Sequence, residues 1–188
     1  VYKRQSKLVT KNFQIHPFSD EFNEIKVIKF HSKKDSRGFF TKIYESSEIK
    51  NAVGDLDEVY YSTSNKNVIR GIHLQKNPFQ LSKLVTCIDG EINDLFIDLR
   101  KSSKNYKKFE SLKIDSGNAV IIPYGFGHGF SVLSNIATVM YCQNGVFDEE
   151  SEIGINPLSL DFDWKVENPI ISDKDKNFPN IDDIEIEI

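Results

Sequence analysis

The feature that most constrains this chain is an alternation of apolar and polar residues, recurring in short blocks separated by glycine, asparagine, aspartate and serine. A period of two puts successive side chains on opposite faces of a strand, so many such blocks at short intervals predict antiparallel strands closed into a barrel or sandwich. The pattern begins at Ile25-Lys26-Val27 and continues over residues 38–44, 59–63, 68–74, 84–88, 92–99, 109–114, 119–122, 129–133 and 137–143. Asp89-Gly90 between two of these blocks predicts a hairpin, because the pair readily supplies the positive φ angles of a tight primed turn. Helices should be few: one over residues 46–53, capped by Ser46 or Ser47, and one or two short ones near the C-terminus.

A length of 188 residues suffices for one substantial core. A single domain is expected over 1–188, with an N-terminal extension over about 1–24 and an acidic tail over about 180–188, whose end reads as a tail or an edge strand. No internal repeat is evident. With 39% hydrophobic and 28% charged residues and a net charge of -4, the composition gives no broad basic face for nucleic acid. The longest apolar stretches fall far short of the roughly 20 residues of a membrane span. Residues 1–18 are too polar for a secretory signal, which makes the cytoplasm the expected location. Cys87 and Cys142 are too few for a disulfide scaffold and read as buried free thiols. The basic stretch 101–108 reads as a solvated loop.

Chemistry concentrates in two clusters, Arg70-Gly71-Ile72-His73 with Lys83 beyond it, and Pro123-Tyr124-Gly125-Phe126-Gly127-His128-Gly129-Phe130. Cationic and imidazole side chains within apolar, strand-like sequence are costly to bury without partners, so their clustering points to an anionic ligand and proton transfer. The Pro123-x-Gly125-x-x-His128 spacing is a motif of cupin barrels, yet a metal-binding cupin carries a second histidine two residues after the first. Gln75 stands there, while His16 and His31 lie far away in the N-terminal region. Two histidines and a carboxylate remain a conceivable metal set, but the metal-free reading is preferred. His73 is then the candidate general base, since imidazole titrates near working pH. The ordinary alternative is a hydrogen-bonded core histidine. Along a regular strand 71, 73 and 75 share a face and Arg70 does not, so Arg70 reaches the same pocket only through a bulge or a subunit edge.

Beyond these clusters, Asp35-Ser36-Arg37-Gly38-Phe39-Phe40, Ser62-Thr63-Ser64, Lys83-Leu84-Val85, Gly90-Glu91-Ile92-Asn93-Asp94, Asp98-Leu99-Arg100, Ile122-Pro123-Tyr124-Gly125, His128-Gly129-Phe130 and Ser172-Asp173-Lys174-Asp175 follow in order. In that order they resemble the dTDP-4-dehydrorhamnose 3,5-epimerases, over about residues 30–179. The resemblance implies an all-β, cupin-type jelly roll with a few short helices, dimeric through an exchanged N-terminal strand. It implies a nucleotide-diphosphate-linked 4-keto-6-deoxy sugar as substrate and no metal or redox cofactor. His73 would be the base, Tyr141 the acid across the sugar ring, Lys83 the partner of the charge developing on the C4 oxygen, and Asp175 the carboxylate that orients His73. Ser172-x-x-Asp175 also fits a helix capping box, which the sequence alone slightly favours. Tyr141 equally fits a strand tyrosine with a buried ring.

By the same resemblance Arg37 and Arg70 contact pyrophosphate, Arg37 in the site of the partner subunit. Ser62, Ser64, Gln75, Gln80 and His128 would line the pocket, with Tyr60 and Phe147 on its nucleotide side. The chain also departs from the family. Lys42 stands in place of a glutamate, Glu58 and Tyr60 in place of a glutamine and an asparagine, and Val146 in place of a tyrosine. These changes leave the carrier open between dTDP as the default and a GDP- or CDP-linked hexose or heptose, and leave open inversion of one centre or two. A ketoisomerase on a similar barrel is a third enzymatic reading, and a non-catalytic nucleotide-sugar-binding cupin is the alternative from another class.

Overall fold

The computed structural model describes residues 8–184 and Ile186. The chain forms β1 (Leu8–Val9), β2 (Phe13–Pro17), β3 (Lys26–Phe30), the small hairpin β4 (Lys33–Asp35) and β5 (Gly38–Phe40), and then helix α1 (Ser46–Val53). There follow β6 (Glu58–Asn65), β7 (Ile69–Gln75), β8 (Ser82–Asp89), β9 (Ile92–Asp98), β10 (Phe109–Ile114), β11 (Asn118–Ile122), β12 (Phe126–Val132) and β13 (Ile136–Asn144). The short β14 (Glu152–Gly154) and the one-turn helix α2 (Asp173–Lys176) complete it. A seven-stranded sheet runs β1-β2-β3-β11-β8-β13-β6, and a five-stranded sheet runs β10-β9-β12-β7-β14. All their pairings are antiparallel. Two antiparallel sheets joined by crossings between them are the jelly roll expected of the sequence.

The alternation decides what lies between the sheets. Val85, Cys87, Val120, Ile122 and Val139 from the larger sheet meet Ile92, Phe96, Phe126, Phe130 and Val132 from the smaller one in a single apolar cluster. Outer faces are covered as well. Ile49 and Val53, one turn apart on α1, pack with Phe13 and Phe30 over the back of the larger sheet, against Leu84 and Ile121. The segment after β14 lays Ile155, Leu160, Trp164 and Ile171 over Ile72, Leu95 and Ile97 on the back of the smaller sheet. β9 and β12 are consequently buried at every position.

Several expectations need correction. Asp89-Gly90 is no hairpin turn: β8 pairs with β11 and β13 while β9 pairs with β10 and β12, so the turn carries the chain from one sheet to the other. Gly90 does have a positive φ of 84°, but its second role is spatial, since a Cβ there would lie 2.2 Å from the Ile136 carbonyl oxygen. The strand expected over 38–44 is confined to β5, and β1 and β2 precede the first expected strand. From residue 8 on, the expected N-terminal extension contributes β1 and β2 to the larger sheet, with Phe13 and Phe22 buried; residues 1–7 lie outside the described residues. α1 has the expected bounds, but Glu45 occupies its N-cap with no side-chain cap bond, and neither Ser46 nor Ser47 caps it. Within 180–188, Ile184 and Ile186 are buried on the smaller sheet rather than forming a free tail, and no strand forms among the described residues there; Glu185, Glu187 and Ile188 lie outside them. Cys87 and Cys142 are buried free thiols, as expected. The 101–108 stretch is a turn region, mostly open to solvent, although Asn105 is buried and donates to the Glu21 carbonyl oxygen.

Candidate active site

A cavity of about 580 Å³ is lined by residues of both sheets, Tyr60, Ser62, Arg70, His73, Lys83, His128 and Tyr141, and by the segment that carries Asp175. Strand register explains how Arg70 joins them. His128 pairs with His73 but Phe130 pairs with Arg70, so β7 carries one more residue than β12 across that step. The extra residue is a bulge at Gly71, whose φ is 101° and whose missing Cβ would meet the His128 carbonyl oxygen at 2.5 Å. The bulge puts Arg70 and His73 on the same wall. Ser64 accepts a hydrogen bond from Arg70 Nε at 2.8 Å and so aims the guanidinium.

Asp175 arrives from the far end of the chain. A parallel bridge between Val68 and Ile170 ties the last segment to β7, and α2 follows at once. Ser172 caps α2 by accepting from the Asp175 N–H, but the Asp175 carboxylate does not complete the box. It accepts from His73 Nε2 at 2.7 Å and from the Gly71 N–H at 3.2 Å. The capping reading is thus right for Ser172 and wrong for the carboxylate. Burial alone would raise the Asp175 pKa, yet the His73 bond and charge, the Gly71 N–H and Ser172 together hold it below the ordinary value. A carboxylate only accepts, so Nε2 carries the hydrogen and Nδ1 keeps the free lone pair, an assignment that follows from the bonding. Phe178 sits edge-on to the imidazole with ring centroids 5.7 Å apart.

Tyr141 faces this pair from β13, on the opposite sheet, which places the phenol and the imidazole on opposite walls. Its ring stacks on Tyr60 at 4.8 Å, 17° from parallel, and meets His128 edge-on at 6.2 Å. Burial, only partly offset by Ser62, pushes its pKa up, so the hydroxyl holds its proton at neutral pH. Lys83 enters from β8 on the same sheet. Burial lowers its pKa, and the charges of Glu152 and Asp94 counter that shift. Behind the wall, His128 Nε2 and Asp94 Oδ2 share a hydrogen bond at 2.7 Å, both groups buried, and burial raises the Asp94 pKa against the pull of His128.

Other expected residues lie elsewhere. Gln75 is buried with its amide engaged by the chain itself: Nε2 donates to the Phe79 carbonyl at 2.6 Å and Oε1 accepts from the Asp148 N–H at 2.8 Å. It holds the 146–148 segment and does not reach the cavity. Gln80 is also off the cavity wall, and Ser64 touches it only through Arg70. Phe147 lines a separate open groove with Asp57, Glu58 and Val59, which Tyr60 joins to the cavity. Arg37 sits at the tip of the β4–β5 hairpin, 88% exposed and paired with Asp35 at 2.6 Å, away from the cavity of its own chain. Sequence reasoning missed Asp94 as the partner of His128, and it missed Glu152, whose Oε1 lies 3.7 Å from His73 Nδ1. Asp94 lay within a quoted motif, but nothing local distinguished it from an end-of-strand acid. Glu152 carried no signal at all.

A jelly-roll barrel whose one cavity is lined by an imidazole–carboxylate pair on one sheet, a buried phenol and a lysine on the other, and an arginine beside the imidazole has the frame and the groups of a cupin-type isomerase. The chain belongs to the dTDP-4-dehydrorhamnose 3,5-epimerase family, whose profile matches residues 19–183. It is 39% identical to the dTDP-4-dehydrorhamnose 3,5-epimerase of Shigella flexneri, over 76% of this chain and 83% of that one. It is 35% identical to the dTDP-4-dehydrorhamnose 3-epimerase of Streptomyces niveus, over 77% and 73%. Among solved structures, the dTDP-6-deoxy-D-glucose-3,5-epimerase of Legionella pneumophila, in complex with dTDP-4-keto-L-rhamnose, superposes with a TM-score of 0.84 at 28% identity, covering 91% of this chain and 95% of that one.

Proposed function

We propose that this protein inverts C3 and C5 of a dTDP-linked 4-keto-6-deoxyhexose through an enolate. The observation that carries the reading is the placement of His73 and Tyr141 on facing sheets of one cavity. C3 and C5 both flank the C4 ketone. His73 Nδ1 takes a proton from one of these carbons, the electron pair moves onto the C4 oxygen as an enolate, and Tyr141 returns a proton to the same carbon from the opposite face. The carbon is inverted, with imidazolium and phenolate left behind. Lys83 stabilises the oxyanion, the place where a preorganised charge acts most strongly. Asp175 fixes the tautomer and the orientation of the imidazole. Arg70 is suited to the pyrophosphate, and His128, held by Asp94, forms the sugar-facing wall.

The dTDP carrier is favoured over GDP or CDP by the relatives' substrates and by what the divergent residues do here. Tyr60 is stacked on Tyr141 and donates its hydroxyl to Gln143, while Glu58 accepts from Gln143 and from the Phe147 N–H. These side chains brace the wall instead of offering a free base-reading edge. Lys42 pairs with Glu45 at the start of α1. The reading includes a homodimer, in which the exposed hairpin with Phe39 and Phe40 docks on a second copy and delivers Arg37 to its phosphate site. It also includes a cytoplasmic location, and no helix among the described residues is long and apolar enough to cross a membrane. The test is incubation in deuterated water with 4-keto-6-deoxyhexoses on dTDP, UDP, CDP and GDP, following C3 and C5 by NMR. Deuterium at both carbons of the dTDP sugar is the expected outcome; no exchange on any carrier would leave a binding protein.

A further inference from the structure

Inversion between one base and one acid leaves the site in the wrong protonation state for the next event. The imidazole has gained a proton and the phenol has lost one, so each inversion requires a reset. Asp175 occupies Nε2 of His73 and the edge of Phe178 lies against the ring, and a sugar in the cavity would cover the side of His73 that faces it. Asp175 is poorly placed to carry the proton off, because it is bonded to Nε2, not to the nitrogen that takes the substrate proton, and its other oxygen holds the Gly71 N–H. One acidic group remains beside the free nitrogen. Glu152 stands on the edge strand β14, whose Gly154 pairs with His73, and its Oε1 lies 3.7 Å from Nδ1. Its side chain is 10% exposed, and Oε2 pairs with the Lys174 ammonium, itself more than half exposed.

We propose that Glu152 is the proton outlet of His73, a reading that rests on the epimerase function above. A shift of about 1 Å brings Nδ1–H to hydrogen-bond distance of Oε1. The N–H bond then breaks and an O–H bond forms, which gives neutral imidazole and a carboxylic acid. Glu152 passes that proton to water or a buffer base on the solvent-exposed Lys174 side and returns to the carboxylate. The Tyr141 phenolate takes a proton from water, so the cycle closes with no net gain or loss.

Glu152→Gln keeps the side-chain length and an oxygen for Lys174 but cannot carry the proton. The expected result is a first-turnover deuterium exchange within twofold of wild type, with steady-state turnover about tenfold lower or more. Added imidazole or formate buffer then restores turnover in proportion to its concentration. Loss of first-turnover exchange together with steady-state turnover, no change in either, or a slow turnover indifferent to buffer would overturn the proposal. If thermal melting shows that Glu152→Gln is unfolded, Glu152→Asp carries the same test, with buffer-responsive slow turnover expected and buffer-insensitive turnover overturning it. A wild-type protein that exchanges no carbon-bound proton would instead overturn the epimerase reading itself.

Discussion

At the scale of single residues, the proposed roles of base and acid can be separated by substitution, because His73 and Tyr141 stand on different sheets. His73→Asn preserves size and can still bond Asp175, but it has no nitrogen lone pair of useful basicity. It should fold normally and lose turnover by about a thousandfold, in line with removal of a general base. Tyr141→Phe keeps the ring stacked on Tyr60 while removing the donor. That variant should retain solvent-deuterium exchange at the carbon that His73 deprotonates, with inversion lost. Near-wild-type exchange in the first variant, or equal loss of exchange and inversion in the second, would reassign the residue to binding or support.

Among the elements, two positive-φ glycines are required for different reasons. Gly71 makes the bulge that turns Arg70 toward the cavity, and Gly90 lets the link between the sheets pass against Ile136. An ordinary primed turn tolerates asparagine in place of glycine, because asparagine enters the left-handed region readily. At Gly90 the obstacle is space as much as φ, since the missing Cβ would meet backbone. Gly90→Asn should therefore destabilise nearly as much as Gly90→Ala, by about 2–4 kcal/mol, lowering the melting temperature by about 5–15 °C. A neutral Gly90→Asn variant would restore the hairpin-like view of this turn.

For the whole molecule, the question is what covers the apolar surface that the protomer leaves open. Phe39 and Phe40 are 68% and 63% exposed on a hairpin outside both main sheets, and β6 ends the larger sheet with Val59 and Tyr61 also exposed. Exposed aromatic rings beside an unpaired strand edge are a surface that association removes from water. Sedimentation at assay concentration should give twice the chain mass of 21.6 kDa. Arg37→Ala should weaken substrate binding although Arg37 is remote from the cavity of its own chain. A fully active monomer would leave the hairpin without its inferred task.

The period-two pattern, the placement of α1 and most strands, the buried thiols and the cluster of Arg70, His73, Lys83 and His128 were all legible along the chain. Each depends on neighbours in sequence, through side-chain alternation, helical spacing or the cost of burying charge. Tertiary structure decided what proximity in sequence cannot carry. Gly90 looks like a hairpin turn until the strands on either side are seen to pair in different sheets. The Asp175 carboxylate fits a helix cap until a bridge more than a hundred residues away in sequence brings His73 beside it. Gln75 reads as a pocket residue until the 146–148 segment folds back and occupies its amide. Glu152 gives no local signal because its role exists only where an edge strand lies beside the base. Local interactions fixed which strands form, while long-range pairing and burial chose which polar groups face one another across the cavity.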